Sequence, residues 1–207
     1  MANLIELTTK NNIAILTMNT AENRHNPAFL AEFNLHLDHI EAEQNIKSVI
    51  LTSSSDKNWS LGIDLQWMSN PSILPAAISD FMIQISDLFK RIVTFPMPII
   101  AALNGHTYGN GSVLACACDF RFMKSDKGFF CFPEVDVMVP FVPSMFPIIN
   151  KAISQTFFNR LAMSGERVGA QQLLENKVVE AVFANNDELQ AGALEFAQQF
   201  NKNRWIY

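Results

Sequence analysis

Three glycines fall within seven residues in the stretch Asn104-Gly105-His106-Thr107-Tyr108-Gly109-Asn110-Gly111-Ser112-Val113. A loop of this kind exposes backbone N–H groups that side chains would otherwise screen, so it could hold a phosphate, a metal, or a charge that develops during a reaction. Phosphate fails on spacing. A P-loop needs Lys and then Ser or Thr after its last glycine, where this chain has Ser112-Val113. A dinucleotide fingerprint needs a third glycine where Leu114 stands. Metal finds no support either: Cys116 and Cys118 are too close for the usual zinc pair, no histidine pair accompanies them, and with Cys131 they read as buried reduced thiols. His106 reads as a hydrogen-bonded structural histidine. A second glycine turn lies upstream, in Trp59-Ser60-Leu61-Gly62-Ile63-Asp64-Leu65, where Asp64 is placed to cap the segment after it. Two turns at the ends of neighbouring strands either aim N–H groups at one oxygen, as an oxyanion hole does, or are tight turns and nothing more.

The elements that must position these turns emerge from periodicity. Leu4 to Thr8 and Ile13 to Met18 are β-prone runs around Asn11-Asn12, a hairpin signal. Asn26-Pro27 supplies a cap and a first-turn proline, and Phe29, Leu30, Phe33, Leu37 and Ile40 mark a helix over 27–43. A short buried strand is expected at Val49 to Leu51, a second long helix through Ile78 to Ile92, and another buried strand at Pro98 to Leu103. A helix over Ser112 to Cys118, short strands near Phe120 to Met123 and Phe129 to Phe132, a strand at Val178 to Phe183 and a last helix from about Asp187 to Phe200 complete the pattern. The segment after Pro143 is otherwise helical. Repeated strand–helix units with short turns give an α/β architecture in one domain, residues 1–207.

Composition narrows the function classes. The 207 residues are 49% hydrophobic and 17% charged, which suits a globular chain. A net charge of -5 and the lack of a basic stripe argue against nucleic acid. No segment reaches the roughly 20 apolar residues of a membrane span. MANLIELTTK does not read as a signal peptide and KNRWIY carries no sorting tripeptide, so a cytoplasmic location is expected.

Six motifs then occur in order: Asn26-Pro27-Ala28; Ile50-Leu51-Thr52 leading into the 59–65 turn; Pro98 through His106; Gly109-Asn110-Gly111; Cys118-Asp119-Phe120-Arg121; and Phe132-Pro133-Glu134-Val135. In this order and spacing they resemble the enoyl-CoA hydratase/isomerase (crotonase) superfamily from about residue 3 to residue 200. The resemblance implies a crotonase-like spiral of repeated ββα units, with a C-terminal helical part from about residue 143. It also implies a homotrimer or dimer of trimers and an acyl-CoA substrate, with coenzyme A part of that substrate and no separate cofactor or metal. By position it gives the thioester oxygen to the backbone N–H groups of Ile63 and Asn110, supported by Gly62, Gly109 and Gly111. The middle of that loop is often glycine in the family, so the Asn110 side chain is expected to narrow the site.

Family hydratases use two glutamates. The first falls on Val113, which can neither activate water nor donate a proton; the second falls on Glu134. One acid resembles the Δ3,Δ2-enoyl-CoA isomerase branch, in which a single carboxylate takes a proton from C2 and returns one at C4. Apolar neighbours such as Phe132, Val135 and Phe141 are expected to raise the Glu134 pKa. Asp136 reads as solvated or structural. Asp119-Phe120-Arg121 reads as structural, with an internal ion pair as its simplest role. Low-specificity substrate contacts are assigned to Arg24, as a CoA phosphate partner, and to Asp64, Met68 and Phe141; Met145 also falls near motifs that flank the acyl chain. The alternatives are a hydratase or other enolate reaction, and a silent acyl-CoA-binding protein. The family usually continues with further C-terminal helices beyond the place where Tyr207 stands, so an opener pocket, a neighbouring subunit over it, or a shortened sequence is expected.

Overall fold

The computed structural model describes residues 3–202; the C-terminal stretch expected to lack a sorting tripeptide lies outside the described residues. β1 (Ile5–Lys10) and β2 (Ile13–Met18) form the expected hairpin. Asn11 and Asn12 both take positive φ, at 52° and 64°, the two-residue turn whose twist matches antiparallel strands. α1 (Pro27–Ala42) starts at the Asn26 cap, whose side chain accepts from the Phe29 N–H. Then come β3 (Ser48–Ser53), β4 (Asn58–Ser60), α2 (Leu65–Met68), α3 (Pro75–Val93), β5 (Ile99–Leu103), β6 (His106–Tyr108) and α4 (Asn110–Ala117). β7 (Phe120–Lys124), β8 (Phe130–Cys131), α5 (Glu134–Val137), α6 (Met145–Ala152), α7 (Gln155–Ser164), α8 (Ala170–Glu175), β9 (Ala181–Phe183) and α9 (Asn186–Gln198) complete the described chain, with a 3₁₀ turn at Gln199–Lys202.

The strand pairs sort into two sheets. A large sheet runs β1-β2-β3-β5-β7-β9, parallel from β2 onward, and a small one runs β4-β6-β8. Each of the units β3–β4, β5–β6 and β7–β8 gives its first strand to the large sheet and its second to the small one, then enters a helix. This is the spiral of repeated ββα units. The inner strands of the large sheet are covered on both faces. Val49, Leu51, Ala101 and Leu103 join the main core, while Ile50, Ile100, Ala102 and Phe122 meet Leu189, Ala193 and Ala197 of α9. The strands therefore read as continuous apolar runs, as the sequence suggested.

Four elements escape periodicity: β4, β6 and the one-turn helices α2 and α5 are too short to show a period. α4 begins at Asn110, two residues ahead of the expected Ser112. That shift matters, because it makes Asn110 the first residue of a helix. No helix among the described residues is long and apolar enough to cross a membrane.

The ion pair suggested between Asp119 and Arg121 does not form. Arg121 is buried and gives its guanidinium to main-chain carbonyls: Nε to Val178 at 2.7 Å and Nη1 to Cys118 at 2.7 Å, with longer bonds to Ala115 and Asp119. Asp119 instead pairs with Lys151 at 2.9 Å and accepts from the Ile99 N–H. The planar five-donor guanidinium suits several carbonyls better than one carboxylate. Arg121 thus ties the end of α4 to the segment before β9. Replacing it by Met leaves those carbonyls unpaired, and Arg121→Met is expected to lose about 2–4 kcal/mol of stability. Urea denaturation checks this; an unchanged midpoint refutes the role.

Candidate active site

The two glycine turns meet. Gly62, just past β4, has φ +75°, and a methyl group there would stand 2.8 Å from the Asn110 nitrogen and 2.8 Å from the Tyr108 carbonyl oxygen. Only glycine allows both that conformation and that approach. Gly109 caps the start of α4 with φ +54°, and a methyl group on it would lie 3.5 Å from Glu134 Oε1. Gly111 rests on the Ser60 carbonyl. The backbone of turn 59–65 therefore lies against the start of α4, and the Glu134 carboxyl faces that start at Gly109.

Two amides are left over at this junction. His25 bridges the first turn as a short parallel strand would, its N–H donating to Gly62 O at 2.8 Å and its carbonyl accepting from Asp64 N at 2.9 Å. Those bonds use the groups on either side of Ile63. Asn110, at the first position of α4, has no carbonyl one turn before it within the helix. Among the described residues, neither the Ile63 nor the Asn110 N–H has an acceptor.

Ile63, Asn110, Gly109 and Glu134 line a cavity of about 340 Å³. Its walls also carry Arg24, Tyr108, Asp136 and Arg167, with Leu65, Met82, Val139 and Met145 supplying apolar surface. The Arg167 guanidinium lies 5.6 Å over the Tyr108 ring. Burial pushes the Glu134 carboxyl up to about 7, partly offset by a backbone hydrogen bond. Its Oε2 is buried with no hydrogen-bond partner among the described residues. A carboxyl titrating near neutrality beside two unpaired N–H donors can move a proton and hold a negative oxygen.

The other expected residues divide between cavity walls and core. Arg24 lines the cavity, with its guanidinium donating to the carbonyls of Leu61 at 3.0 Å and Ile63 at 3.3 Å and pairing with Glu22. Phe141 lines a second cavity of about 410 Å³, which shares Glu134, Val139 and Pro140 with the first. Asp64 and Met68 line neither. The Asp64 carboxylate caps α2 through the Trp67 N–H and accepts from Asn26 Nδ2, while Met68 packs against the core. Val113 is wholly buried in the core. His106 accepts from the Phe129 N–H and stacks on its ring. The three cysteines are free and buried, and desolvation raises Cys116 and Cys118 to about 12 and Cys131 to about 11. No group of three or more His, Cys, Asp or Glu among the described residues could hold a metal ion.

Sequence reasoning missed Asn23, His25 and Ser60 beneath the turns. Asn23 is buried, with its Nδ2 on Ser53 Oγ at 2.8 Å and the Trp59 carbonyl at 2.9 Å. The Ser60 hydroxyl donates to the Asn23 carbonyl and accepts from the Gly62 N–H. The available signal was the run Asn23-Arg24-His25-Asn26, four polar residues directly before an apolar helix.

A raised carboxyl pKa fixes a stability slope. The folded protein holds the Glu134 proton more tightly than a free glutamate at 4.5, so stability from this group is complete below about 4.5 and falls as pH rises through about 7. Glu134→Gln removes the slope and is expected to gain about 1–3 kcal/mol over wild type at pH 8, with little difference at pH 4.5. Melting curves at the two pH values measure it, and parallel curves for the two proteins would contradict the burial of a charged carboxylate.

Comparison with known proteins gives the family and the fold. The sequence profile of the enoyl-CoA hydratase/isomerase family matches residues 8–206. Peroxisomal enoyl-CoA delta isomerase 2 of Arabidopsis thaliana is 28% identical over 173 residues, 81% of this chain and 71% of that protein. Enoyl-CoA delta isomerase 3 of the same plant is 30% identical over the same shares. The crystal structure of an enoyl-CoA hydratase from Bacillus anthracis superposes with a TM-score of 0.86 at 25% identity, covering 97% of this chain and 77% of that one.

Proposed function

Because the chain belongs to the enoyl-CoA hydratase/isomerase family, we propose that it moves the double bond of a 3-enoyl-CoA to C2, with Glu134 as the single base. The observation that carries this reading is the Glu134 carboxyl: one oxygen unpartnered and the group near neutrality, beside the glycine loop. The ionised carboxylate takes a proton from C2. The electron pair moves into the thioester carbonyl, and the oxygen, now an enolate, is met by the N–H groups of Ile63 and Asn110. The same carboxyl, now protonated, returns a proton at C4 as the double bond forms between C2 and C3. No water enters the balance. A base with pKa about 7 is both ionised often enough to act and strong enough to pull a carbon acid's proton once the enolate is stabilised.

Val113 supports isomerisation over hydration, since its side chain lies in the core where hydratases carry their first glutamate. Hydration is the second reading, favoured by Asp136 as a further carboxylate on the cavity wall. It predicts water addition to a 2-enoyl-CoA that Asp136→Asn removes.

The test is double-bond migration on a 3-enoyl-CoA. Glu134→Gln, folded as judged by circular dichroism, is expected to lower kcat by at least about 100-fold. For the wild type, kcat/KM is expected to rise with pH and level off above about 7, the limb of a base that must be ionised. Equal rates in the two proteins refute the assignment of Glu134, and a wild type that leaves every enoyl-CoA unchanged points to a binding protein.

A further inference from the structure

We propose that His25 is a positioning residue that sets the two amide donors against each other by holding the Asn110 carboxamide away from them. The inference rests on the enolate reading and adds a residue outside the reacting groups. His25 touches both turns at once. Its backbone clasps Gly62 and Asp64 around the Ile63 amide, and its ring reaches Asn110 Nδ2 through Nδ1 at 2.8 Å. Its Nε2 lies 3.0 Å from Ser60 Oγ, and the ring stacks on Phe29 with centroids 4.8 Å apart.

The hydrogen bonds assign every proton. The Ser60 hydroxyl has one proton and gives it to the Asn23 carbonyl, an acceptor only. Toward the ring Ser60 therefore accepts, which puts the imidazole proton on Nε2. Nδ1 is left with a lone pair and accepts from Asn110 Nδ2. A flipped carboxamide would set its oxygen against that lone pair, so the orientation is fixed. The ring is neutral, because burial and the nearby Arg24 charge lower its pKa to about 3. One tautomer therefore persists across the working pH range.

The carboxamide needs such a hold. An asparagine beside a helix start ordinarily turns its oxygen toward nearby backbone N–H groups. Here those groups include the donors left for the ligand oxygen. Asn110 Oδ1 is buried and has no partner among the described residues, so it is not engaged with any of them. With Nδ2 committed to His25, Oδ1 is held off. Without the ring the carboxamide can rotate onto an amide or into the cavity that Asn110 lines.

The experiment compares His25→Leu, His25→Asn and Asn110→Gly in the full chain, by 3-enoyl-CoA isomerisation and by deuterium exchange at C2 of a saturated acyl-CoA. His25→Leu keeps the backbone clasp and is expected to lower kcat about 10- to 100-fold with KM within about twofold, because only transition-state charge is affected. His25→Asn, whose oxygen can stand where Nδ1 stood, recovers most of that loss. The effects of His25→Leu and Asn110→Gly on kcat are non-additive, since removing the carboxamide removes the group the ring restrains. Nitrogen-15 NMR of the folded wild type reads the tautomer without any variant, and a proton on Nδ1 overturns the proposal. So does a folded His25→Leu enzyme with wild-type kcat. A wild type that neither exchanges nor isomerises removes the enolate reading and this proposal with it, whereas an active wild type indifferent to His25 removes this proposal alone.

Discussion

The approach of Gly62 to the Asn110 nitrogen is the constraint around which the cavity is arranged. A methyl group at position 62 would meet two backbone atoms at 2.8 Å, and backbone cannot step aside as a flexible side chain can. Holding two turns that close requires something stiffer than the turns themselves. The run Asn23–Asn26 supplies it, and each of its residues bonds to the strand or turn that carries Gly62. Asn23 binds the Trp59 carbonyl, Arg24 the carbonyls of Leu61 and Ile63, His25 the backbone of Gly62 and Asp64, and Asn26 the Asp64 carboxylate. A chain segment distant in sequence thus serves as one edge of the site.

That arrangement is costly in the usual terms of folding. An unpartnered buried acceptor such as Asn110 Oδ1 costs about 1–3 kcal/mol, and the buried Glu134 carboxyl is easier to fold protonated than charged. Both penalties fall at the same cavity and are offset by an apolar core on both faces of the large sheet's inner strands. Concentrating unmet hydrogen-bonding capacity in one place is what a site needs if a ligand is to supply the missing partners.

The glutamate owes its character to position more than to any charged neighbour. Desolvation is the dominant cause of its raised pKa, and the opposing influence is its own backbone hydrogen bond. The one-turn helix α5 carries it from the end of β8 to the cavity wall, facing the loop at Gly109. Its neighbour two residues on, Asp136, reaches the same cavity from the exposed side of that turn. Two carboxylates on one short helix thus face the same cavity, and the more buried of them, Glu134, is displaced toward neutrality.

The sequence by itself determined the long elements and the identity of the loops. Helical spacing marked α1 and α3 because their buried faces repeat every turn, and the apolar runs marked β3 and β5 because both faces of the sheet are covered. Glycine marked the two turns because few other residues accept their conformation. The ordered motifs determined the family, since several weak signals in fixed order constrain one another. Tertiary structure alone decided what surrounds them. β4, β6, α2 and α5 are too short to carry a period, and α4 starts two residues early, at Asn110, with Gly111 resting on the Ser60 carbonyl. The His25–Asn110 contact joins positions 85 residues apart, and Arg121 chose carbonyls over Asp119, two residues away. Each of these was settled by which partner the folded chain brought within hydrogen-bond reach, and spacing along one sequence contains no measure of that distance.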